Sequence, residues 1–481
     1  MKVRKSGGLF AIAALLSSCG GDSGGGSTST GGTGTGTGTG SGTATAACSL
    51  RARQDWVLAR MNEWYLFPET LPASLDPSGY ATLDAYVDAL TATARAQRKD
   101  RYFTYVTSVA QENAYYNSGA TAGFGVRLSY DASNRLYVAE AFESAPALNA
   151  GIDRGAQIVA IGNDANSLRN VSDILASQGS AGVTDALGPS TTGTTRVLRI
   201  TDAAGTRNVT VAKADYNISP VSTRYGYKII DDGGTKVGYV NLRTFISSAD
   251  AQLRTAFAAF RDAGVTKAIV DLRYNGGGLL STAEVMTDLL GGARSTADVQ
   301  SYTTFRASKS SQNEVRNFQR EANAISPIRI AFIGTGGTAS ASEYVMNAFI
   351  PYLHTDAALV GANTYGKPVG QIALDNPTCT DDRLRVIAFA LQNASRQGDY
   401  YDGLATRMET TCAGTDDLAH AMGDPAEGST KAALDFLAGR SCTRIGTTAS
   451  ADRGVNAFAQ ARTLLSPDAP DTAQRETPGL F

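Results

Sequence analysis

The run Ile328-Arg329-Ile330-Ala331-Phe332-Ile333-Gly334-Thr335-Gly336-Gly337-Thr338-Ala339-Ser340-Ala341-Ser342-Glu343 reads as an apolar strand that ends in a turn of small residues and restarts as a helix. Such a turn leaves a serine hydroxyl uncovered at a strand–helix junction, where α/β folds gather their chemistry. Before it, Val237 to Leu242 reads as a strand. A helix follows over Ala249 to Ala263, with Leu253, Phe257 and Phe260 on one face and Gly264 as its stop. Ala268-Ile269-Val270-Asp271-Leu272 is a buried-type strand that runs into Gly276-Gly277-Gly278, and another helix is expected near Ala283 to Leu290. From about Gly226 to Cys442, this β-α-β alternation with apolar strands predicts an α/β fold on a mainly parallel, helix-covered sheet. The polar stretch Arg306 to Asn323 is expected to be a helical lid or insertion.

Upstream the period changes. Trp56, Leu58, Met61 and Trp64, then Leu83, Tyr86, Val87 and Leu90, lie at near-helical spacing, so 48–118 reads as an N-terminal helical region without chemistry of its own. From 119 to 216 short strands dominate. Gly123-Phe124-Gly125-Val126 opens one, and Pro146-Ala147, Gly151-Ile152 and Gly155 to Asn163 follow in order.

The first 19 residues carry a charged start, an apolar run from Leu9 to Leu16 and Leu16-Ser17-Ser18-Cys19, the pattern of a secretory signal. The tract 20–47 is almost wholly Gly, Thr and Ser and behaves as a flexible tether with a reach of roughly 30 Å. The tail, 447–481, is rich in Ala, Pro and Thr and is expected to be poorly ordered from Ser466 onward. It ends in Pro478-Gly479-Leu480-Phe481, an apolar segment of the sort a strand-adding peptide groove accepts.

Hydrophobic residues make up 42% and the net charge is −2, so the chain is globular and carries no basic patch for nucleic acid. Cys48, Cys379, Cys412 and Cys442 follow Cys19. In an exported chain four cysteines allow three pairings. Cys379 with Cys412 is the expected bridge, because both lie in polar, loop-like sequence of one domain. No Cys-x-x-Cys lies near a histidine, which argues against a metal site.

The whole chain holds two histidines, His354 and His420, so Ser340 is better served by a lysine. Lys367 sits in Thr364-Tyr365-Gly366-Lys367-Pro368-Val369-Gly370-Gln371. Burial disfavours an ammonium ion and lowers its pKa, which would let Lys367 accept a proton. Gln371 shares its face if the segment is extended, and can orient the amine. Hydrolysis also needs donors for the oxyanion. Ala341 N–H at the helix start and Gly277 N–H are the candidates. Ser342 competes with Ser340, and Glu343 reads as a helix cap.

These motifs, with Asp271-Leu272-Arg273-Tyr274-Asn275-Gly276-Gly277-Gly278, resemble the carboxyl-terminal processing, or tail-specific, serine proteases across about Gly119 to Gly439. The resemblance implies a crotonase-like (ClpP-like) catalytic domain over 217–446 and a PDZ-like domain over 119–216. In that family the Gly123 to Val126 type of loop takes the end of a peptide. It also implies Ser340 as nucleophile, Lys367 as base with Gln371 as its partner, and no cofactor. Leu16 to Cys19 resembles a bacterial lipobox, implying lipid on Cys19 and a place in the bacterial cell envelope, facing the periplasm or the outside. Protein or peptide substrates with free C-termini are the implied partners. Gly276 stands where the family has proline, and Pro368 where it has glycine. A peptide-binding protein with an idle dyad is the alternative, which the intact Ser340, Lys367 and Gln371 set argues against.

Overall fold

The computed structural model describes residues 46–446 and 462–481. The signal sequence with Cys19, the tract up to residue 45 and the first part of the tail lie outside those residues.

Six strands form the central sheet, in the order Tyr227–Asp232, Thr235–Asn241, Lys267–Asp271, Arg329–Gly334, Ala357–Gly361, Thr410–Ala413. The first pair is antiparallel and every later pair is parallel. Alternation along each strand feeds two cores. Val270, Ile330, Phe332 and Leu359 pack under the helices Ala249–Asp262, Leu280–Leu290 and Ala341–Leu353. Ile269, Ala331, Ile333 and Val360 meet Ala433, Leu434 and Leu437 of the helix Gly428–Leu437. The molecule is mixed α/β with several modules, as the alternation predicts.

A second sheet pairs Tyr105–Ser108, Asp382–Gln392, Val299–Phe305 and Glu314–Asn317, with Val369–Asp375 also on Asp382–Gln392. The helices Leu50–Trp64 and Leu83–Ala96 cover it, burying Val57, Met61 and Leu90 against Leu384, Val386 and Ile387. The stretch Arg306 to Asn323, expected as a helical lid or insertion, is not one helix: after a 3-10 stretch at Ala307–Gln312, Glu314–Asn317 pairs antiparallel with Val299–Phe305, so a neighbouring strand satisfies backbone groups that a helix would have satisfied internally.

In 119–216, the strands Val126–Tyr130, Leu136–Ala141, Gln157–Gly162, Thr195–Asp202 and Gly205–Ala212 form an antiparallel sheet. Phe124, Val138, Ile158, Ile174 and Ile200 fill its core. A buried ion network ties this module to the central one. Glu140 accepts from Arg127 Nε (3.3 Å) and Arg243 Nε (2.6 Å), and Arg243 Nη1 also reaches Glu143 (2.5 Å). Arg127 Nη1 goes on to donate to Tyr274 O (3.1 Å) and to Pro478 O.

The cysteine pairing and the tail also differ from expectation. Cys379 bonds Cys48, and Cys412 bonds Cys442. Cys379 lies in the turn between Val369–Asp375 and Asp382–Gln392, beside the first helix, where Arg53 Nη2 donates to Asp382 (2.7 Å). Cys412 belongs to the central sheet, where Ala413 N donates to Thr443 O (2.7 Å) and brings Cys442 alongside. The expected partners therefore sit on different sheets. In the tail, residues 462–481 are folded, with Leu465, Ala473, Leu480 and Phe481 buried, because these widely spaced apolar side chains each find a core.

Candidate active site

Three adjacent parallel strands deliver the three loops that matter. Asp271 is in register with Ile333, and Gly334 with Gly361, so the loops after them leave from one edge of the sheet. The first loop is pinned by Asn275. Its Nδ2 donates to Leu242 O (2.9 Å), and its carbonyl accepts Ala339 N (3.0 Å) and Ser342 Oγ (3.0 Å). A Cβ on Gly277, at φ 126°, would stand 2.9 Å from the Ser340 Cβ, so only glycine allows this approach.

Ser340 has φ 56° and ψ −113°, a left-handed conformation rare for a side-chain-bearing residue, immediately before the helix Ala341–Leu353. Such strain costs about 1–3 kcal/mol and persists where the surroundings impose it. The hydroxyl of Ser342 is spent on Asn275 and the residue is fully buried, whereas Ser340 is partly exposed. That separates the two serines.

Lys367 follows Gly361 across Gly366, whose φ is 93°. Its Nζ donates to Gln371 Oε1 (2.9 Å) and lies 5.0 Å from the centre of the Phe103 ring. Gln371 in turn donates its amide to Phe103 O. Burial holds the Lys367 ammonium below its usual range, against the opposing pull of Glu476. Arg101 Nη2 caps the loop by donating to Tyr365 O (2.8 Å) and to Gly366 O (2.5 Å). Arg101 and Phe103 belong to the N-terminal region, to which the sequence assigned no chemistry.

Glu343 does more than cap its helix. One oxygen, Oε2, accepts the backbone N–H of Ser340 (3.0 Å) and that of Lys367 (2.7 Å), while Oε1 accepts Gly366 N (2.7 Å). A single buried carboxylate thereby holds the serine turn and the lysine loop together. Burial pushes its pKa up, against the Thr364 side chain and the three backbone donors, which favour the charged form.

Ala341 N–H belongs to the first helical turn, which lacks an intrahelical acceptor. Gly277 N–H donates to Asn275 Oδ1 (2.9 Å), so the second oxyanion donor is engaged within its own Asx turn in this arrangement. Arg273 is structural: it is fully buried and paired with Asp271, Glu427 and Asp416. His354 and His420 are exposed, on Glu409 and Asp417. Gly123, Phe124, Gly125 and Val126 lie at the start of the 119–216 sheet. There the N–H groups of Gly125 (2.9 Å) and Val126 (3.2 Å) both donate to Phe481 O.

Comparison with known proteins adds the family. The model of peptidase family S41 matches residues 236–394, which hold Ser340, Lys367 and Gln371, and the S41 N-terminal domain matches 52–105, which holds Arg101 and Phe103. Over these two segments the chain is similar to peptidase family S41. A chloroplastic C-terminal processing peptidase of Tetradesmus obliquus is 27% identical over 271 residues, which is 54% of this chain and 54% of that relative. A carboxyl-terminal-processing protease of Picosynechococcus sp. is 26% identical over 264 residues, 54% of this chain and 58% of that one. The chain thus spans about half the length of these curated relatives. The crystal structure of a Bacteroides fragilis protein assigned to the S41 proteases superposes with a TM-score of 0.63 at 23% identity, covering 80% of this chain and 97% of that one, so the two share a fold. The 119–216 module lies outside both matched segments. Among the described residues no helix is long and apolar enough to cross a membrane.

Proposed function

We propose that this chain is an exported, lipid-anchored serine endopeptidase of the S41 type that cleaves proteins or peptides with a Ser340/Lys367 dyad, and that the PDZ-like 119–216 module engages the C-terminal segment of its substrates. The observation that carries the reading is the shared Glu343 oxygen, which fixes the backbones of Ser340 and Lys367 to one point. A neutral Lys367 amine takes the Ser340 proton as Oγ bonds to the scissile carbonyl carbon. The negative oxygen that forms is received by Ala341 N–H, joined by Gly277 N–H once it turns from Asn275. Collapse breaks the C–N bond, and the lysine returns the proton to the leaving amine. Water then attacks the Ser340 ester with the same lysine as base, freeing the carboxylate product and the serine. Gln371 holds the amine in place throughout.

Lipid on Cys19 and the Gly/Thr/Ser tether would keep the enzyme at a membrane of the cell envelope while leaving it reach. The test is intact mass spectrometry after exposure to a serine-directed phosphonylating probe, with the adduct mapped, beside casein hydrolysis by the wild type and Ser340→Ala. A single adduct on Ser340 and loss of hydrolysis in the variant are expected. An unmodified Ser340, or a Ser340→Ala protein that cleaves casein at the wild-type rate, refutes the reading.

A further inference from the structure

The segment 471–481 touches both places where a substrate would be held. It begins as a short helix, Thr472–Glu476, whose cap is closed by Gln474 N donating to Asp471 (2.8 Å) and Asp471 N donating to Gln474 Oε1 (3.2 Å). Glu476 O then accepts the N–H of Gly276, inside the glycine loop beside Ser340 (3.0 Å). The approach is close: a Cβ on Gly276 would stand 2.4 Å from Arg475 O. The Glu476 carboxylate is buried, accepts Tyr116 Oη (2.9 Å), and is the strongest opposite charge felt by Lys367. After Pro478 the chain forms an antiparallel bridge at the Val126–Leu128 end of the strand Val126–Tyr130, whose Ser129–Tyr130 end pairs with Thr463–Leu464. Leu128 N donates to Gly479 O (2.8 Å), Leu480 faces Arg127, and Phe481 N donates to Val126 O (2.9 Å). The Phe481 ring is buried in the core of the 119–216 module with Phe124 and Val126. Strand addition at a sheet edge with a pocketed apolar side chain is a peptide-recognition mode, and here the chain supplies its own peptide.

We propose that residues 471–481 form a removable strap that fills the peptide groove with Leu480-Phe481 and packs on the glycine loop beside Ser340, and that extended peptides ending in two bulky apolar residues displace it. The catalytic half of this statement rests on the peptidase reading above; the occupancy of the groove does not. Main-chain bonds carry most of the hold, so any peptide of that form can replace them. Competition from the tethered strap lowers the apparent affinity for an added peptide by the fraction of chains with the groove open.

The probe is a fluorescent peptide of the sequence 474–481 with a free carboxylate, titrated by anisotropy against Ser340→Ala and against Ser340→Ala with Leu480→Asp and Phe481→Asp. The aspartate variant is expected to bind at least about ten-fold more tightly, because its groove is empty. Equal affinities overturn the strap. Should the aspartate variant not fold, hydrogen exchange on Ser340→Ala alone decides: saturating peptide must accelerate exchange across 471–481, and unchanged exchange overturns the proposal. Casein hydrolysis by the same tail variant with Ser340 intact separates the two ideas. Tighter peptide binding without hydrolysis in any form sinks the peptidase and leaves the strap. Hydrolysis with unaltered peptide affinity does the reverse.

Discussion

Replacing Glu343 with glutamine tests whether one carboxylate assembles the site. The three N–H groups it accepts come from Ser340, Gly366 and Lys367 at 3.0, 2.7 and 2.7 Å. Glutamine keeps one acceptor oxygen. Placed where Oε2 now lies, that oxygen still serves Ser340 and Lys367, but the amide then faces Gly366 N–H donor to donor. Stripping a buried donor of its acceptor costs about 1–3 kcal/mol, and two charge-assisted bonds fall to neutral ones worth about 1 kcal/mol each. Removing a buried charge offsets part of this. A net loss of about 2–3 kcal/mol is expected, read as a lower urea midpoint at unchanged slope in a Ser340→Ala background. With Ser340 intact the lysine loop shifts against the serine, and a displacement of about 1 Å is enough for about a 100-fold fall in kcat with KM little changed. A Glu343→Gln protein whose stability lies within about 0.5 kcal/mol of the parent and whose kcat is unaltered would refute the reasoning.

Lys367→Arg keeps the positive charge but cannot accept a proton near neutral pH, so hydrolysis should vanish across the pH range while the fold, read by circular dichroism, stays. Because burial lowers the Lys367 pKa in the folded chain, activity should rise with pH through that lowered value, and the penalty for burying the ammonium should fade between it and the usual lysine range. Phe103→Ala admits water beside Nζ, among Glu476, Arg475, Asp100 and Arg385, so the acid limb of the pH–rate profile should move to higher pH; a limb that moves down or stays would assign the depression to another cause. Replacing Cys412 and Cys442 with serine opens a loop spanning 30 residues and should cost about 3–4 kcal/mol in thermal or urea unfolding.

The serine turn, the lysine and its glutamine were legible because each lies at a junction marked locally by glycine, by an apolar strand or by a four-residue spacing. The mainly parallel, helix-covered sheet followed from the same alternation. What escaped was non-local. Arg101 and Phe103 reach the lysine loop from more than 260 residues away, and the sequence around them carries only a helical period that says nothing of their target. The disulfide partners depended on which of two sheets each cysteine joined, and polar flanks do not encode that. The tail was read as loose because Pro, Thr and Asp dominate it, while its holding power lies in four separated apolar side chains and in main-chain bonds common to every sequence.

Arg127 gives the strand edge a ruler. Its guanidinium has no access to water, already serves Glu140 and the carbonyl of Tyr274, and finishes on the carbonyl of Pro478. An incoming chain that sets a carbonyl at that point completes the cation's coordination. One shifted by a single residue points that carbonyl the other way and leaves a buried donor empty, at about 1–3 kcal/mol, or roughly 5- to 150-fold in occupancy. Register along this edge is thus measured by the backbone itself. The same guanidinium that takes the measurement also holds the residue before Asn275, so a misread phase would be felt where the glycine loop begins.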